Sequence, residues 1–159
     1  MAKTDMVRAY AESLLKQILG TEDIVTDGDG DYPVRHKSAL YYVRIDPGSR
    51  DDPVVQVFAI AIADVPATPE LYERLNAINS RLRFARAFWV ADQVLIESEM
   101  VGFDLSLAAL DTACSTVGGA ADYFGPQLAE EFGGKTAFTD ERGADYEPPT
   151  DPPAPGFYL

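Results

Sequence analysis

The sequence is poor in the residues that build disulfides and metal sites. It has one cysteine, Cys114, and one histidine, His36, among 159 residues. A single cysteine excludes a disulfide within the chain, which is typical of proteins in a reducing compartment. One histidine and one cysteine are also too few for a zinc site made of these ligands. We therefore predict a cytoplasmic protein without a metal.

Positive charge and long apolar runs are scarce too. Lysine and arginine number 13 against 26 acidic residues, which gives a net charge of -13. Such a surface repels phosphate backbones and anionic lipid, so we expect no nucleic-acid partner and no membrane partner. The apolar run that contains Phe58–Ala63 is too short to cross a bilayer, and no signal-peptide pattern opens the sequence. The charge instead favours a partner with basic stretches.

Recognisable catalytic and cofactor motifs are missing. There is no P-loop, dinucleotide fingerprint or nucleophile elbow, so we expect no cofactor. Residues Asp27–Asp31 alternate Asp and Gly like a calcium loop, but Tyr32 and Ser38 stand where an EF-hand needs glycine and glutamate. A hairpin turn is the better interpretation. Cys114 falls on the apolar face of a predicted helix, where thiols are inert, so a Cys114–His36 catalytic pair is disfavoured. We predict that the protein is not an enzyme.

The hydrophobic pattern predicts an α+β fold, an antiparallel sheet of about five strands with helices packed on it. The order is α-β-β-β-α-β-β-α, followed by an extended Pro-rich tail. Thr4 or Asp5 is expected to cap the first helix, and Thr68 the second. The predicted elements are a helix over 5–19, strands over 32–36, 39–45 and 54–62, a helix from 68 to about 82, strands over 84–90 and 94–101, and a helix from about 104 to 132.

Two predicted elements have unusual features. The strand Val54–Ile62 is apolar on both faces apart from Gln56, which is typical of a central strand or of one covered by a partner. The last helix contains Gly118-Gly119 and Gly125-Pro126, which should weaken, kink or break it.

The composition changes near the C-terminal end. Residues 1–134 predict a single domain, and residues 135–159 an acidic tail with five prolines, polyproline-like in character. The tail ends in the apolar residues Phe157–Leu159. One hypothesis is that these residues occupy a groove of the domain in cis, or reach a neighbouring subunit. The alternative is a solvated tail that improves solubility.

Four arginines, Arg74, Arg81, Arg83 and Arg86, concentrate positive charge around the second helix and the following strand. The first interpretation is that they pair with nearby carboxylates, and in particular that Arg86 faces Glu97 or Glu99 across a hairpin. The other interpretation is a site for an anionic ligand.

A short signature resembles a known family. Leu75–Asn79 reads Leu-Asn-Ala-Ile-Asn, and Arg83–Phe88 reads Arg-Phe-Ala-Arg-Ala-Phe. Asn76 and Asn79 weaken a helix intrinsically, so we expect their side chains to bond a strand edge or loop. The signature is similar to that of the YbjN family of bacterial proteins, which shares a fold with type III secretion chaperones. The element order agrees with that fold over residues 5–132.

The resemblance implies a small acidic chaperone or adaptor that forms a homodimer and holds an extended segment of a client protein. Its apolar contacts would come from an exposed strand edge or from a groove. We name as candidate contact residues Val55, Val57, Phe58, Phe88 and Trp89. All five also suit an ordinary core. Because Phe88 and Trp89 are adjacent in a strand, they should lie on opposite sheet faces.

Three functions follow from these observations. The leading prediction is a non-catalytic chaperone or adaptor for a client protein. The alternative is a small-molecule sensor or enzyme that binds an anionic ligand through the four arginines. A third is a structural subunit whose doubly apolar strand is buried in a permanent oligomer.

Overall fold

The computed structural model describes residues 2–50 and 52–138, and in this part the predicted fold class and element order are confirmed. Five strands form one antiparallel sheet in the order β1-β2-β3-β5-β4. The elements are α1 (Lys3–Leu19), β1 (Tyr32–His36), β2 (Ala39–Asp46), β3 (Val54–Ala63), α2 (Pro69–Asn79), β4 (Arg86–Val90), β5 (Gln93–Val101), a 3₁₀ turn (Gly102–Asp104) and α3 (Leu107–Phe132).

The helix ends differ in part from the expected ones. Thr68 caps α2 by accepting a hydrogen bond from the Leu71 N–H, as predicted. For α1 the cap prediction was wrong, because Ala2 precedes the helix and no side chain caps it. The helix α2 ends at Asn79, so Leu82 lies beyond it. The region of Asp104 is a separate 3₁₀ turn, and α3 starts at Leu107 with Ser106 as its cap.

All three helices pack on one face of the sheet, which we call the covered face. The core there combines apolar side chains of the helices with one alternating set from the strands, including Val55, Val57 and Ala59 of β3. β3 is the middle strand of the sheet, which agrees with the first of the two alternatives predicted for it, a central strand or one covered by a partner. A bulge between Ile60 and Ile62 adds one residue, so that Ile62 also turns to the covered face and is fully buried.

The predicted interruption of the last helix does not occur, because α3 is continuous through both Gly118-Gly119 and Gly125-Pro126. Its glycines instead allow the helix to approach the sheet. A Cβ on Gly125 would lie 2.8 Å from the Ala61 carbonyl oxygen, and one on Gly118 would lie 3.0 Å from Cδ1 of Tyr41. Packing against β2 and β3 therefore outweighs the low helix propensity of these residues.

Candidate functional site

The opposite face of the sheet, which we call the open face, carries two kinds of side chain in adjacent cross-strand rows. The first is an apolar row formed by half-buried side chains from β2, β3, β5 and β4. Leu95 is the partner of Ile60 on one side and of Phe88 on the other. We define the apolar row as Leu40, Ile60, Leu95 and Phe88. Sequence reasoning missed the first three, because alternation within a strand does not give the register between strands.

The next row is aromatic at one end and ionic at the other. Tyr42 stacks on Phe58 with 5.2 Å between ring centroids, and the Arg44 guanidinium lies 4.8 Å from the centre of the Phe58 ring. Arg44 also makes a forked ion pair with the buried carboxylate of Asp31. These contacts leave Phe58 only 9% exposed. The β2 side of the open face is thus a fixed aromatic platform.

At the β4 end of the same row, the predicted pairing of Arg86 with Glu97 is confirmed. The two residues are opposite each other in the hairpin, and Arg86 Nε donates to Glu97 Oε1 at 2.7 Å. Gln56 donates to the other carboxylate oxygen at 2.8 Å. Glu99 lies 3.8 Å from Arg86. The ion pair raises the pKa of Arg86, mainly through its hydrogen bond to Glu97.

The five candidate contact residues fall into two groups. Val55 and Val57 are fully buried under the helices, where they offer no surface to a partner. Trp89 also lies on the covered side, where its indole N–H donates to the Val65 carbonyl at 2.9 Å. Phe58 and Phe88 lie on the open face, so Phe88 and its neighbour Trp89 take opposite sides of the sheet.

Asn79 occupies the outer edge of β4. Its side-chain amide donates to the Ala87 carbonyl at 2.8 Å, and its carbonyl oxygen accepts the Ala87 N–H at 2.7 Å. The predicted bond between signature asparagine and strand edge is therefore confirmed for Asn79. Asn76 is exposed, and its backbone carbonyl accepts the Ser80 N–H. The other edge strand, β1, contains Pro33, which has no N–H to offer.

Replacing Asn79 with alanine should expose the Ala87 backbone and lower stability by about 1 kcal/mol, because two hydrogen bonds are lost and water replaces them at an accessible edge. We also expect greater self-association, since an uncovered strand edge pairs with other strands. Urea unfolding and light scattering measure the two effects. Asn76→Ala is the matched control on the same helix, and equal results for both variants would contradict the role of Asn79.

The four arginines do not share one site. Arg74 lies between α2 and α3, where it donates to Gln127 at 3.2 Å and pairs with Glu131 at 3.4 Å. Arg86 belongs to the open face, on the other side of the sheet. Two of the four are thus paired with carboxylates on opposite sides of the sheet. The arrangement gives no support to a single anion site.

The other candidate residues have structural roles. Asp27 Oδ1 accepts the N–H groups of Asp29 and Asp31 at 2.9 Å each, as in the predicted hairpin turn. Burial raises the pKa of the Cys114 thiol to about 12, so it is protonated at neutral pH and a poor nucleophile. Burial lowers the pKa of His36. In residues 2–50 and 52–138, no cluster of three His, Cys, Asp or Glu residues is placed to hold a metal ion.

The chain following α3 returns to the sheet and passes onto the open face. Lys135 pairs with Ala63 through two backbone hydrogen bonds of 2.9 Å. The next residues line a cavity of about 280 Å³ together with Leu40, Tyr42 and Ile60. Phe138 then lies 4.1 Å from the Arg35 guanidinium of β1. One end of the apolar row is therefore already in contact with the chain's own C-terminal segment. The rest of the predicted tail lies outside the described residues.

Known proteins support this fold. One chain in the crystal structure of the ExsC-ExsE complex matches with a TM-score of 0.59 and 11% identity, covering 80% of this chain and 97% of that one. The Yersinia pestis type III secretion chaperone SycH, solved in complex with a stable fragment of YscM2, matches with a TM-score of 0.50 and 20% identity, over 69% and 95%. A search of curated protein sequences finds no match.

No helix in the described part of the chain is long and apolar enough to cross a membrane. The model of one protein family, described as T3SS (YopN, CesT) and YbjN peptide-binding chaperone 1, matches residues 5–140. That range includes all five strands and all of the helices except the first two residues of α1, and so it includes the Asn79 contact and the open face. The chain therefore belongs to this family of peptide-binding chaperones, as the resemblance of its signature implied.

Proposed function

We propose that the protein is a non-catalytic chaperone or adaptor that holds an extended segment of a client protein on the open face. The observation that carries this proposal is the apolar row. Leu40, Ile60, Leu95 and Phe88 form a continuous band across four strands. The three helices of the described part leave this band uncovered, since they all pack on the other face.

The two edges of the sheet favour binding of the client on the open face over addition of a client strand to an edge. Asn79 already uses the Ala87 N–H and carbonyl at the β4 edge, and Pro33 interrupts the β1 edge. At these two positions a client strand would therefore find its backbone partners occupied or missing. On the open face, every second side chain of an extended segment can instead contact the apolar row.

The charge of the protein favours clients of one kind. The net charge of -13 attracts clients with basic residues and accelerates their association at low salt. Glu99, which is exposed on the open face one row beyond Glu97, offers one carboxylate to such a residue. We therefore propose a client segment with alternating apolar residues and flanking basic ones. This chemistry protects the apolar client residues from aggregation while they are bound.

The test compares Phe88→Glu with Tyr10→Glu. Both variants replace an aromatic side chain by a carboxylate, but Phe88 lies on the open face and Tyr10 is exposed on α1. Tagged full-length proteins are used to capture partners from the native lysate, and captured proteins are identified by mass spectrometry. We expect one stoichiometric protein with the original chain and with Tyr10→Glu, and at least a tenfold loss with Phe88→Glu.

A loss confined to Tyr10→Glu would move the site to α1 and contradict the proposal. Equal capture by all three proteins would also contradict it, provided that circular dichroism shows that each is folded. The homodimer remains a prediction, which light scattering across a dilution series checks. A cytoplasmic location is part of the same proposal and agrees with a single, buried and protonated thiol.

A further inference from the structure

We infer that a cavity between β5 and the first turns of α3 binds a tyrosine or tryptophan side chain of the client, next to a basic residue. The inference rests on the proposed function, because it names a second contact for the same client protein. The cavity has a volume of about 430 Å³, within the range of about 300–1,000 Å³ that is usual for ligand pockets. Its walls include Phe84, Ser98, Glu99 and Met100 and, from α3, Ala109 and Ala113.

The cavity lies where β4 ends before β5 does. The two strands pair only as far as Arg86 and Glu97, whereas β5 continues to Val101. Just before β4, Phe84 has a φ of 58°, a left-handed conformation that bulky side chains rarely adopt. Phe84 borders the cavity and is 78% exposed, so core packing does not account for this conformation. Strained residues of this kind are concentrated at binding sites.

A buried hydroxyl without a partner lines the cavity. Ser98 is only 7% exposed and shares the covered face with the core residue Ile96, two positions before it in β5. No residue within 2–50 and 52–138 forms a hydrogen bond with its side chain. A desolvated hydroxyl that stays unpaired costs free energy, which a ligand with a hydrogen-bonding group recovers. Ser98 therefore supplies the polar contact inside the cavity.

These features select one kind of side chain. The apolar walls suit an aromatic ring, and the Phe84 ring at the rim can contact it edge to face. A tyrosine O–H or a tryptophan N–H would find its partner in Ser98, whereas phenylalanine offers none. Of the described residues that line the cavity, Glu99 alone is charged, and its side chain is 47% exposed. A lysine or arginine beside the aromatic residue is therefore favoured.

The cavity and the open face can serve the same client segment. Glu99 belongs to both, since it lines the cavity and its carboxylate lies 3.8 Å from Arg86 on the open face. Beyond Arg86, β4 no longer separates the two sides of β5. An extended segment on the open face can therefore pass around this end of β5 and place an aromatic residue in the cavity.

The experiment titrates the isotope-labelled full-length protein with two peptides, acetyl-Lys-Tyr-Lys-amide and acetyl-Lys-Phe-Lys-amide, which differ by one hydroxyl. Amide chemical shifts report the position and the affinity of each peptide. We expect shifts at Ser98, Met100 and Ala109, and an affinity about three- to tenfold higher for the tyrosine peptide. In Ser98→Ala this difference should disappear, because the partner of the tyrosine hydroxyl is gone.

The Phe84→Gly variant tests the rim without the risk of unfolding. Glycine adopts a positive φ without strain, so the variant should resist urea about as well as the original chain. Both peptides should bind at least about tenfold more weakly to it, because the ring that contacts them is missing. The peptide acetyl-Glu-Tyr-Glu-amide should bind more weakly than its lysine counterpart, and equal binding would overturn the basic preference.

Three results would overturn the cavity as a binding site. They are the absence of shifts at millimolar peptide concentrations, equal affinities of the original chain for the tyrosine and phenylalanine peptides, and undiminished binding by Phe84→Gly. Shifts centred on Leu40, Ile60 and Phe88 would also overturn it, but they would support the open face. Because client capture is measured separately with Phe88→Glu, the proposed function and this inference can fail independently.

Discussion

Replacing Gly125 with alanine will destabilise the protein by about 2 kcal/mol, although helix propensity alone predicts a gain of about 1 kcal/mol. Gly125 is buried in the interior of α3, where alanine is normally the better residue. A Cβ at this position, however, would lie 2.8 Å from the Ala61 carbonyl oxygen. Backbone atoms cannot move aside like the end of a flexible side chain, so either the helix or β3 must shift. Urea unfolding measures the change in free energy.

A second cause must be separated from this contact. Gly125 precedes Pro126, and a residue before proline disfavours the helical conformation because its Cβ clashes with the proline ring. Glycine has no Cβ and avoids this clash. The same Gly125→Ala substitution is therefore made in a Pro126→Ala background. If the contact with Ala61 is responsible, the loss persists there at about its full size. Disappearance of the loss in that background would assign it to the proline and would contradict the packing explanation.

The same residues show why the sequence predicts the order of elements better than their continuity. Glycine and proline at positions 118–119 and 125–126 follow local rules that predict a break, and those rules hold for an isolated helix. In the folded chain, α3 packs against four strands of the sheet, and its glycines permit the close approach. No local pattern contains the Ala61 carbonyl, because it is more than sixty residues away in the sequence.

For a related reason, the candidate site could be predicted only in part from the sequence. Alternation placed Phe88 and Trp89 on opposite faces, but it could not tell which face the helices cover. Val55 and Val57 were chosen for their hydrophobicity, and they prove to be fully buried in the core on the covered face. The hydrogen bonds of Asn79 to a strand edge could be predicted, because two asparagines on a helix require an explanation. Nothing in the sequence distinguishes Leu40 in this way.

Arg86→Met will cost about 2 kcal/mol of stability, which is large for a residue that is itself well exposed. The reason lies with Glu97, whose side chain is only 4% exposed beneath the guanidinium. Without Arg86, the Glu97 carboxylate keeps a single donor, Gln56, in a partly desolvated position. The exposure of Arg86 lets water enter after its removal, so we expect less than the 3–5 kcal/mol of a fully buried pair. Urea unfolding of the full-length chain gives the value.

The double variant Arg86→Met with Glu97→Leu identifies the cause. If the uncompensated carboxylate is responsible, the double variant should be at least about 1 kcal/mol more stable than Arg86→Met alone, because no buried charge remains. Arg83→Met removes the same charge from an exposed position nearby and should change stability by less than about 0.5 kcal/mol. A double variant as unstable as the single one would show that Arg86 contributes through its packing over Phe88 instead.

The same pair of variants connects stability to function. Glu97 and Arg86 form the polar border of the apolar row, directly beside Phe88 and Leu95. Leucine at position 97 extends the apolar band by one row towards Gln56, and methionine at position 86 extends it to the β4 edge. The double variant should therefore hold apolar segments more tightly and with less selectivity, and it should self-associate more readily in light scattering. Unchanged association would mean that the ion pair serves the stability of the hairpin alone.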